Sequence, residues 1–115
     1  MIATVLIVED DLPLCNIMGF MLAAEGFRTV KAENGKIALH LLEEVEPDVI
    51  LLDLEMPVMD GREFLQKYRT VGCHCPVVIV SGDHARDALS ELGAQGAVQK
   101  PFLAEELVRA VHNVM

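Results

Sequence analysis

The sequence predicts an α/β domain in which a parallel sheet is doubly wound by helices, and three observations carry that expectation. Short, β-branched apolar runs, of the kind buried on both faces of a parallel sheet, recur along the chain. Segments with apolar residues at helical spacing separate them. Residues able to do chemistry stand where the apolar runs stop: Glu9, Asp10 and Asp11 early in the chain, then Asp53, Ser81, and Lys100 with Pro101.

Taken in order, Val5-Leu6-Ile7-Val8 is the first strand. Leu14, Ile17, Met18, Met21 and Leu22 then follow the i, i+3/i+4, i+7 pattern of an amphipathic helix, with Asp11 as cap and Pro13 in the first turn, where its missing N–H does no harm. Gly26 ends this helix, and a weaker strand runs from Arg28 to Ala32. Ile37, Leu41, Leu42 and Val45 repeat the helical pattern after Asn34. Val49-Ile50-Leu51-Leu52 is the third strand, and Phe64, Leu65 and Tyr68 make a helical stripe after Asp60-Gly61. Val77-Val78-Ile79-Val80 is the fourth strand, and the short run Ala97-Val98 is the fifth, a helix lying between them. Leu103, Leu107, Val108 and Val111 mark the last helix.

Five βα units with right-handed crossovers give a doubly wound sheet with helices on both faces. In such sheets ligands bind outside the carboxyl ends of the strands, where the winding reverses. With the strand order 2-1-3-4-5, the reversal lies between the first and third strands, and Asp10 and Asp53 face each other across it.

Composition bounds the function. The chain has 115 residues, 52% of them hydrophobic, and no Pro/Gly/Ser-rich linker, which predicts one domain over residues 1–115. A formal charge of -9 with no basic block argues against direct nucleic-acid binding, which needs Lys and Arg to neutralise phosphates. No apolar run approaches the ~20 residues of a membrane helix, and the first strand starts within a few residues of Met1. The expectation is a cytoplasmic chain with no signal peptide and no membrane insertion.

Three cysteines, an odd number, do not suggest a disulfide framework. Cys73-His74-Cys75 offers thiolates and an imidazole, but structural zinc sites use four ligands at wider spacing, so a plain loop before the fourth strand is the preferred reading. His40, His84 and His112 fall on helices and read as solvent-facing or packing residues.

An isolated Glu-Asp-Asp is most often a solvated turn or a helix cap. Here the triplet ends a strand, and Asp53 ends another of the same parallel sheet. Carboxylates brought this close repel and raise one another's proton affinity unless a cation sits among them. Hard oxygen ligands with room for water describe Mg2+ better than zinc or calcium. Beside such an ion, the Asp53 carboxylate is suited to attack phosphorus and form an aspartyl phosphate. Lys100 and the Ser81 hydroxyl supply a cation and a hydrogen bond for phosphoryl oxygens. Alone, Ser81 would read as a turn former and Lys100-Pro101 as a loop; their joint placement after separate strands is the signal.

Over essentially its whole length the chain resembles the receiver domains of two-component response regulators. Val5 to Asp11 is similar to the family's acidic-pair strand, and Leu51-Leu52-Asp53-Leu54-Glu55-Met56-Pro57 with Met59-Asp60-Gly61 to its phosphoacceptor segment. Val80-Ser81-Gly82 matches the hydroxyl position, and Gln99-Lys100-Pro101-Phe102 the lysine-proline signature. The resemblance implies a (βα)5, flavodoxin-like fold of strand order 2-1-3-4-5 and a phosphotransfer switch rather than an enzyme. It implies that Asp53 accepts a phosphoryl group from a phosphohistidine of a histidine kinase or histidine phosphotransfer protein and passes the signal to a downstream effector domain or protein. Glu9, Asp10, Asp53 and the backbone carbonyl of Glu55 would hold Mg2+, Ser81 and Lys100 would bind the phosphoryl oxygens, and Asp11 would cap the first helix. A cis peptide before Pro101 is implied as well.

Three features depart from the family pattern. Ala97 stands where an aromatic residue or His usually couples to the hydroxyl position. The segment 81–100 is short by about one helical turn. Glu55 and Asp83 are acidic where the family lines the route of hydrolytic water. Two other classes compete. A haloacid-dehalogenase-like phosphatase also forms an aspartyl phosphate, but it has a second Asp two residues after the nucleophile, where this chain has Glu55. A receiver-like interaction module that is never phosphorylated is expected to lose the acidic pair, Asp53 or Lys100, and all are present.

Overall fold

The computed structural model describes residues 2–72, 74–82 and 85–115. Strand and helix alternate: β1 (Thr4–Val8), α1 (Leu12–Ala23), β2 (Arg28–Ala32), α2 (Gly35–Leu41), β3 (Val49–Asp53), α3 (Gly61–Tyr68), β4 (Val77–Ser81), α4 (Ala85–Leu92), β5 (Gly96–Gln99) and α5 (Ala104–Val114). The strands form one sheet in the order β2-β1-β3-β4-β5, every neighbouring pair parallel. This is the doubly wound fold and the strand order expected from the sequence.

Alternation along the strands divides the core in two. Leu6, Val8, Ile50, Leu52, Val77 and Ile79 face one side, where they pack with Phe64, Leu65 and Tyr68 of α3 and Ala88 of α4. Val5, Ile7, Val49, Leu51, Val78 and Val80 face the other, against Met18 and Leu22 of α1 and Leu107 and Val111 of α5. β3 and β4 are buried at every position, which is why they read as unbroken apolar runs.

Local chemistry sets the helix starts. Asp11, Asn34 and Asp60 each stand in extended backbone and accept a hydrogen bond from the N–H three residues on, at 3.1, 2.8 and 2.9 Å, satisfying donors that the first turn leaves open. Pro13 lies in the first turn of α1, and Gly26, at φ 90, supplies the left-handed turn into β2.

Several apolar stripes need correction. In α1 the buried positions are Cys15, Met18, Gly19 and Leu22, whereas Ile17 is 48% and Phe20 78% exposed. Residues 12–23 carry no charge, so nothing in the sequence marks which side of this helix faces water. In α2, Gly35 and Ala38 pack inward while Ile37 is exposed, and Val45 lies beyond the helix end. Leu103 is the exposed residue preceding α5 rather than part of its buried stripe.

His40 and His112 are exposed, the latter with its ring 5.2 Å from that of Phe27. Cys15 is a free, buried thiol whose pKa burial pushes up, the behaviour of a core residue rather than a reactive one. The Tyr68 hydroxyl lies 3.0 Å from the carbonyl of Cys75, to which it donates. Cys73, Asp83 and His84 lie outside the described residues, and with them the Cys-His-Cys triplet as a unit and the acidic position after Gly82. Among the described residues no helix is long and apolar enough to cross a membrane.

Candidate functional site

The strand register brings the chemistry to one edge. Val8 is level with Leu52, Asp53 with Val80, and Ser81 with Gln99, so Glu9, Asp53, Ser81 and Lys100 emerge side by side at the carboxyl ends of β1, β3, β4 and β5. The Glu9 N–H donates to Ala32 O at 3.0 Å and the Lys100 N–H to Ser81 O at 2.8 Å. These bonds carry the pairing past the strand ends and hold both side chains at the edge.

Glu9 and Asp53 are buried, and Asp10 is exposed beside them. One carboxylate oxygen from each of the three lies within 4.8 Å of the others. Lys100 reaches into this group: its Nζ donates to Glu9 Oε1 at 2.8 Å and stands 3.6 Å from Asp53 Oδ2. Backbone donors hold the remaining oxygens. The Asp11 N–H donates to Glu9 Oε2 at 3.3 Å, and the Glu55 N–H to Asp53 Oδ1 at 3.2 Å.

Electrostatics follow from this crowding. Burial, followed by the hydrogen bond and charge of Asp53, raises the Glu9 carboxyl to about 7, against an opposing pull from Lys100. Burial on its own would lower the Lys100 pKa, but its hydrogen bond to Glu9 and the charge of Asp53 more than reverse that, and the ammonium is held charged. The donor set, three hard carboxylate oxygens of which one faces solvent, fits a small divalent cation such as Mg2+.

The loop after β3 is shaped to support Asp53. A Cβ on Gly61 would sit 2.6 Å from the Asp53 carbonyl oxygen and 2.7 Å from Leu54 Cα, closer than any side chain can approach backbone. Its N–H donates to Leu54 O at 2.9 Å, pinning the start of α3 against the end of β3. Between them Val58 turns the chain at φ 69.

Ser81 is buried at the end of β4 and lines a cleft of about 850 Å³ together with Glu55, Asp60 and Asp87. Arg62 of α3 and Glu91 of α4 meet across its rim at 3.3 Å. The sequence reading missed Arg62, Asp87 and Glu91, because a pair separated by 29 residues on two surface helices leaves no local signal. It also missed that Lys100 contacts Glu9 directly. The site residues it did name converge: Glu9, Asp10, Asp53 and Lys100 in one cluster, with Ser81 and Glu55 in the adjoining cleft. Asp11 caps α1 as expected, the Lys100-Pro101 peptide is cis, and Ala97 packs partly buried in the core cluster that contains Ala88 of α4.

Comparison with known proteins agrees with this geometry. The chain is 44% identical over 108 residues to a protein-glutamate methylesterase/protein-glutamine glutaminase of Treponema pallidum, covering 88% of this chain and 27% of that protein. It is 37% identical over 115 residues to the regulatory protein AtoC of Escherichia coli, covering 96% of this chain and 25% of the relative. The chain thus spans about a quarter of the length of these curated relatives. Among solved structures, the Vibrio cholerae chemotaxis protein CheY4 superposes with a TM-score of 0.93 at 28% identity, covering 100% of both chains. The response regulator TrrA of Thermotoga maritima, in complex with Mg(2+)-BeF, gives 0.89 at 28% identity, covering 99% of this chain and 100% of that one. The model of the response regulator receiver domain matches residues 5–112. With nearly the whole chain matched and the fold in agreement, the protein belongs to the response regulator receiver domain family of two-component signalling.

Proposed function

We propose that this chain is a phosphorylation-dependent switch in which Asp53 is the phosphoacceptor. The observation that carries the reading is the placement of the buried Asp53 carboxylate between Glu9 and Asp10, which follow β1, and the ammonium of Lys100, 3.6 Å away, beside the open cleft that Ser81 lines. A carboxylate oxygen of Asp53 forms a bond to phosphorus as the P–N bond of a phosphohistidine breaks, and the imidazole leaves with the bonding pair. The donor is a histidine kinase or a histidine phosphotransfer protein.

Lys100 is already charged and within reach of Asp53, so its part is to pair with the phosphoryl oxygens in place of the carboxylate charge. The Ser81 hydroxyl, which lines the cleft, hydrogen-bonds another of these oxygens. The Glu55 N–H holds Asp53 Oδ1 at 3.2 Å, leaving Oδ2 as the attacking atom. Glu9, Asp10, Asp53 and the backbone carbonyl of Glu55 would hold Mg2+, which when bound supplies positive charge against the phosphoryl oxygens. The TrrA relative was solved in complex with Mg(2+)-BeF, which supports Mg2+ as the ion for a domain of this fold.

The output is a change in what the domain binds, an effector domain or a separate protein, rather than turnover of a substrate. The esterase in the name of one relative is an activity of a protein of which this chain spans about a quarter. The absence of an apolar membrane-length helix among the described residues and the net charge of -9 fit a cytoplasmic protein that binds neither membrane nor nucleic acid directly. Incubation with acetyl phosphate and Mg2+, followed by intact mass measurement, tests the central step. One phosphoryl group should be added, and Asp53→Asn should abolish it; unchanged labelling of that variant would overturn the assignment.

A further inference from the structure

We propose that the Arg62–Glu91 ion pair is a clasp that holds α4 against α3 and so limits how often the floor of the cleft beside Asp53 is uncovered. The two helices supply opposite sides of that cleft of about 850 Å³: Arg62 comes from α3, and Asp87, Ala88 and Glu91 come from α4. Two of its lining residues are shut away from water, Ser81 at 1% and Ala88 at 3% exposure. Arg62 Nη1 and Glu91 Oε2 meet at the rim, 3.3 Å apart.

The two sides are anchored unequally. α3 buries Gly61, Phe64, Leu65 and Tyr68, its first residue is tied to Leu54 O, and the Tyr68 hydroxyl donates to Cys75 O at 3.0 Å. α4 fully buries two alanines, Ala85 and Ala88, while its Leu89 and Leu92 are half-buried. An alanine removes far less apolar surface from water than a phenylalanine or a leucine, so α4 loses less when it lifts. Glycines stand beyond both ends of this helix, Gly82 after β4 and Gly93 at φ 67, where they can absorb the change in backbone angle. α3 is therefore the fixed wall and α4 the movable one.

The ion pair is placed to act on that movement. Its two charges sit on separate helices, 29 residues apart, so lifting α4 breaks it. With side chains 53% and 62% exposed, it adds little to global stability. A local opening is decided by small differences, however, and a pair of this kind shifts such an equilibrium about two- to fivefold. Opening uncovers Ser81 beside Asp53. On the reading of Asp53 as phosphoacceptor, on which this consequence rests, the clasp slows the entry of the phosphoryl donor.

The test is thiol labelling of Ala88→Cys with iodoacetamide, read by mass spectrometry on the tryptic peptide that follows Arg86, which contains none of Cys15, Cys73 and Cys75. Adding Arg62→Gln should raise the labelling rate about two- to fivefold, and the exchanged pair, Arg62→Glu with Glu91→Arg, should return it to the starting rate. Molar NaCl, which shortens the screening length to about 3 Å, should speed labelling when Arg62 is present and leave the Arg62→Gln rate unchanged. Because Ala88→Cys enlarges a buried side chain, amide hydrogen exchange without that substitution gives a second reading: α4 amides should exchange faster in Arg62→Gln by the same factor, and α3 amides should not. Equal labelling and exchange in Arg62→Gln and the parent, or a rise that the exchanged pair does not reverse, would overturn the clasp. Acetyl phosphate should modify Arg62→Gln faster than the parent, and an unchanged rate in a variant whose cleft opens would overturn the control of entry. If the cleft opens but neither protein takes up a phosphoryl group, the clasp stands and the phosphoacceptor reading falls.

Discussion

The two walls of the candidate site are built in opposite ways. The wall from β1 and β3 is acidic: Glu9, Asp10 and Asp53 bring three carboxylates within 4.8 Å. The wall from β4 and β5 is Ser81 and Lys100, a hydroxyl and a cation. Strand order places the acidic pair of strands at the centre of the sheet and β5 at its edge, so the neutralising charge must reach across. Lys100 does so, contacting Glu9 at 2.8 Å over a sequence separation of 91 residues. The acidic wall is therefore held together by a cation in it, the lysine, a metal ion or both, or by a proton on Glu9, whose carboxyl is raised to about 7. On the proposed reading, a phosphoryl group on Asp53 would draw Lys100 from Glu9 and change that balance.

The largest disturbance of the comparison should come from beneath the acidic wall. Gly61→Ala forces a Cβ into the Asp53 and Leu54 backbone, which cannot yield as a flexible side chain would. A loss of about 3 kcal/mol in urea denaturation is expected, the upper part of the overpacking range. A variant as stable as the parent would show that the loop after β3 does not pin Asp53.

Next in size is the removal of the opposite wall's charge. Lys100→Ala leaves Glu9 and Asp53 buried without their partner. Breaking a fully buried pair costs more, but the Lys100 side chain is 24% exposed, so about 2 kcal/mol is expected for the metal-free protein. Added Mg2+ should recover part of that loss. Equal stability with and without the lysine would mean that the acidic wall needs no neutralisation.

A cation supplied from solution should act in the same direction with a smaller effect. Mg2+ at ten times its dissociation constant should stabilise the parent by about 1.4 kcal/mol, seen as a rise in Tm. The rise should shrink in Asp10→Asn and Asp53→Asn. A Tm that ignores Mg2+ in the parent would remove the metal from the site.

The acidic wall should also show itself in the pH dependence of stability. The folded-state pKa of Glu9, about 7, lies above its ordinary value of 4.5. Stability from this group is therefore fully present below its unfolded pKa and is lost as pH rises through the interval to about 7. In metal-free protein Glu9→Gln should flatten stability across that interval. In Asp53→Asn the Glu9 titration, followed by carboxyl NMR, should move down toward the usual range, because the neighbour that raises it has lost its charge. A midpoint that stays near neutrality in that variant would assign the shift to burial alone.

Much of this was legible in the sequence, and two helices show where legibility ends. α5 shows its inner face plainly, because Glu105, Glu106 and Arg109 punctuate Leu107 and Val111. α1 is uncharged from Leu12 to Ala23, and periodicity there pointed to Ile17, which is exposed, in place of Cys15, which is buried. An amphipathic pattern locates a face only when polar residues mark the other one.

Local sequence sets the five βα units, the cap at Asp11, and the placement of Glu9, Asp53, Ser81 and Lys100 at strand ends. All of these rest on interactions within a few residues of chain: hydrophobic period, cap hydrogen bonds and turn chemistry. The tertiary structure alone decided that Lys100 meets Glu9 and Asp53, that Arg62 meets Glu91, and that Val58 and Val71 flank one groove between α2 and α3. Those contacts depend on how helices pack over a twisted sheet and on the paths of the loops between them, and side chains 29 or 91 residues apart share no local pattern from which a sequence could announce their meeting.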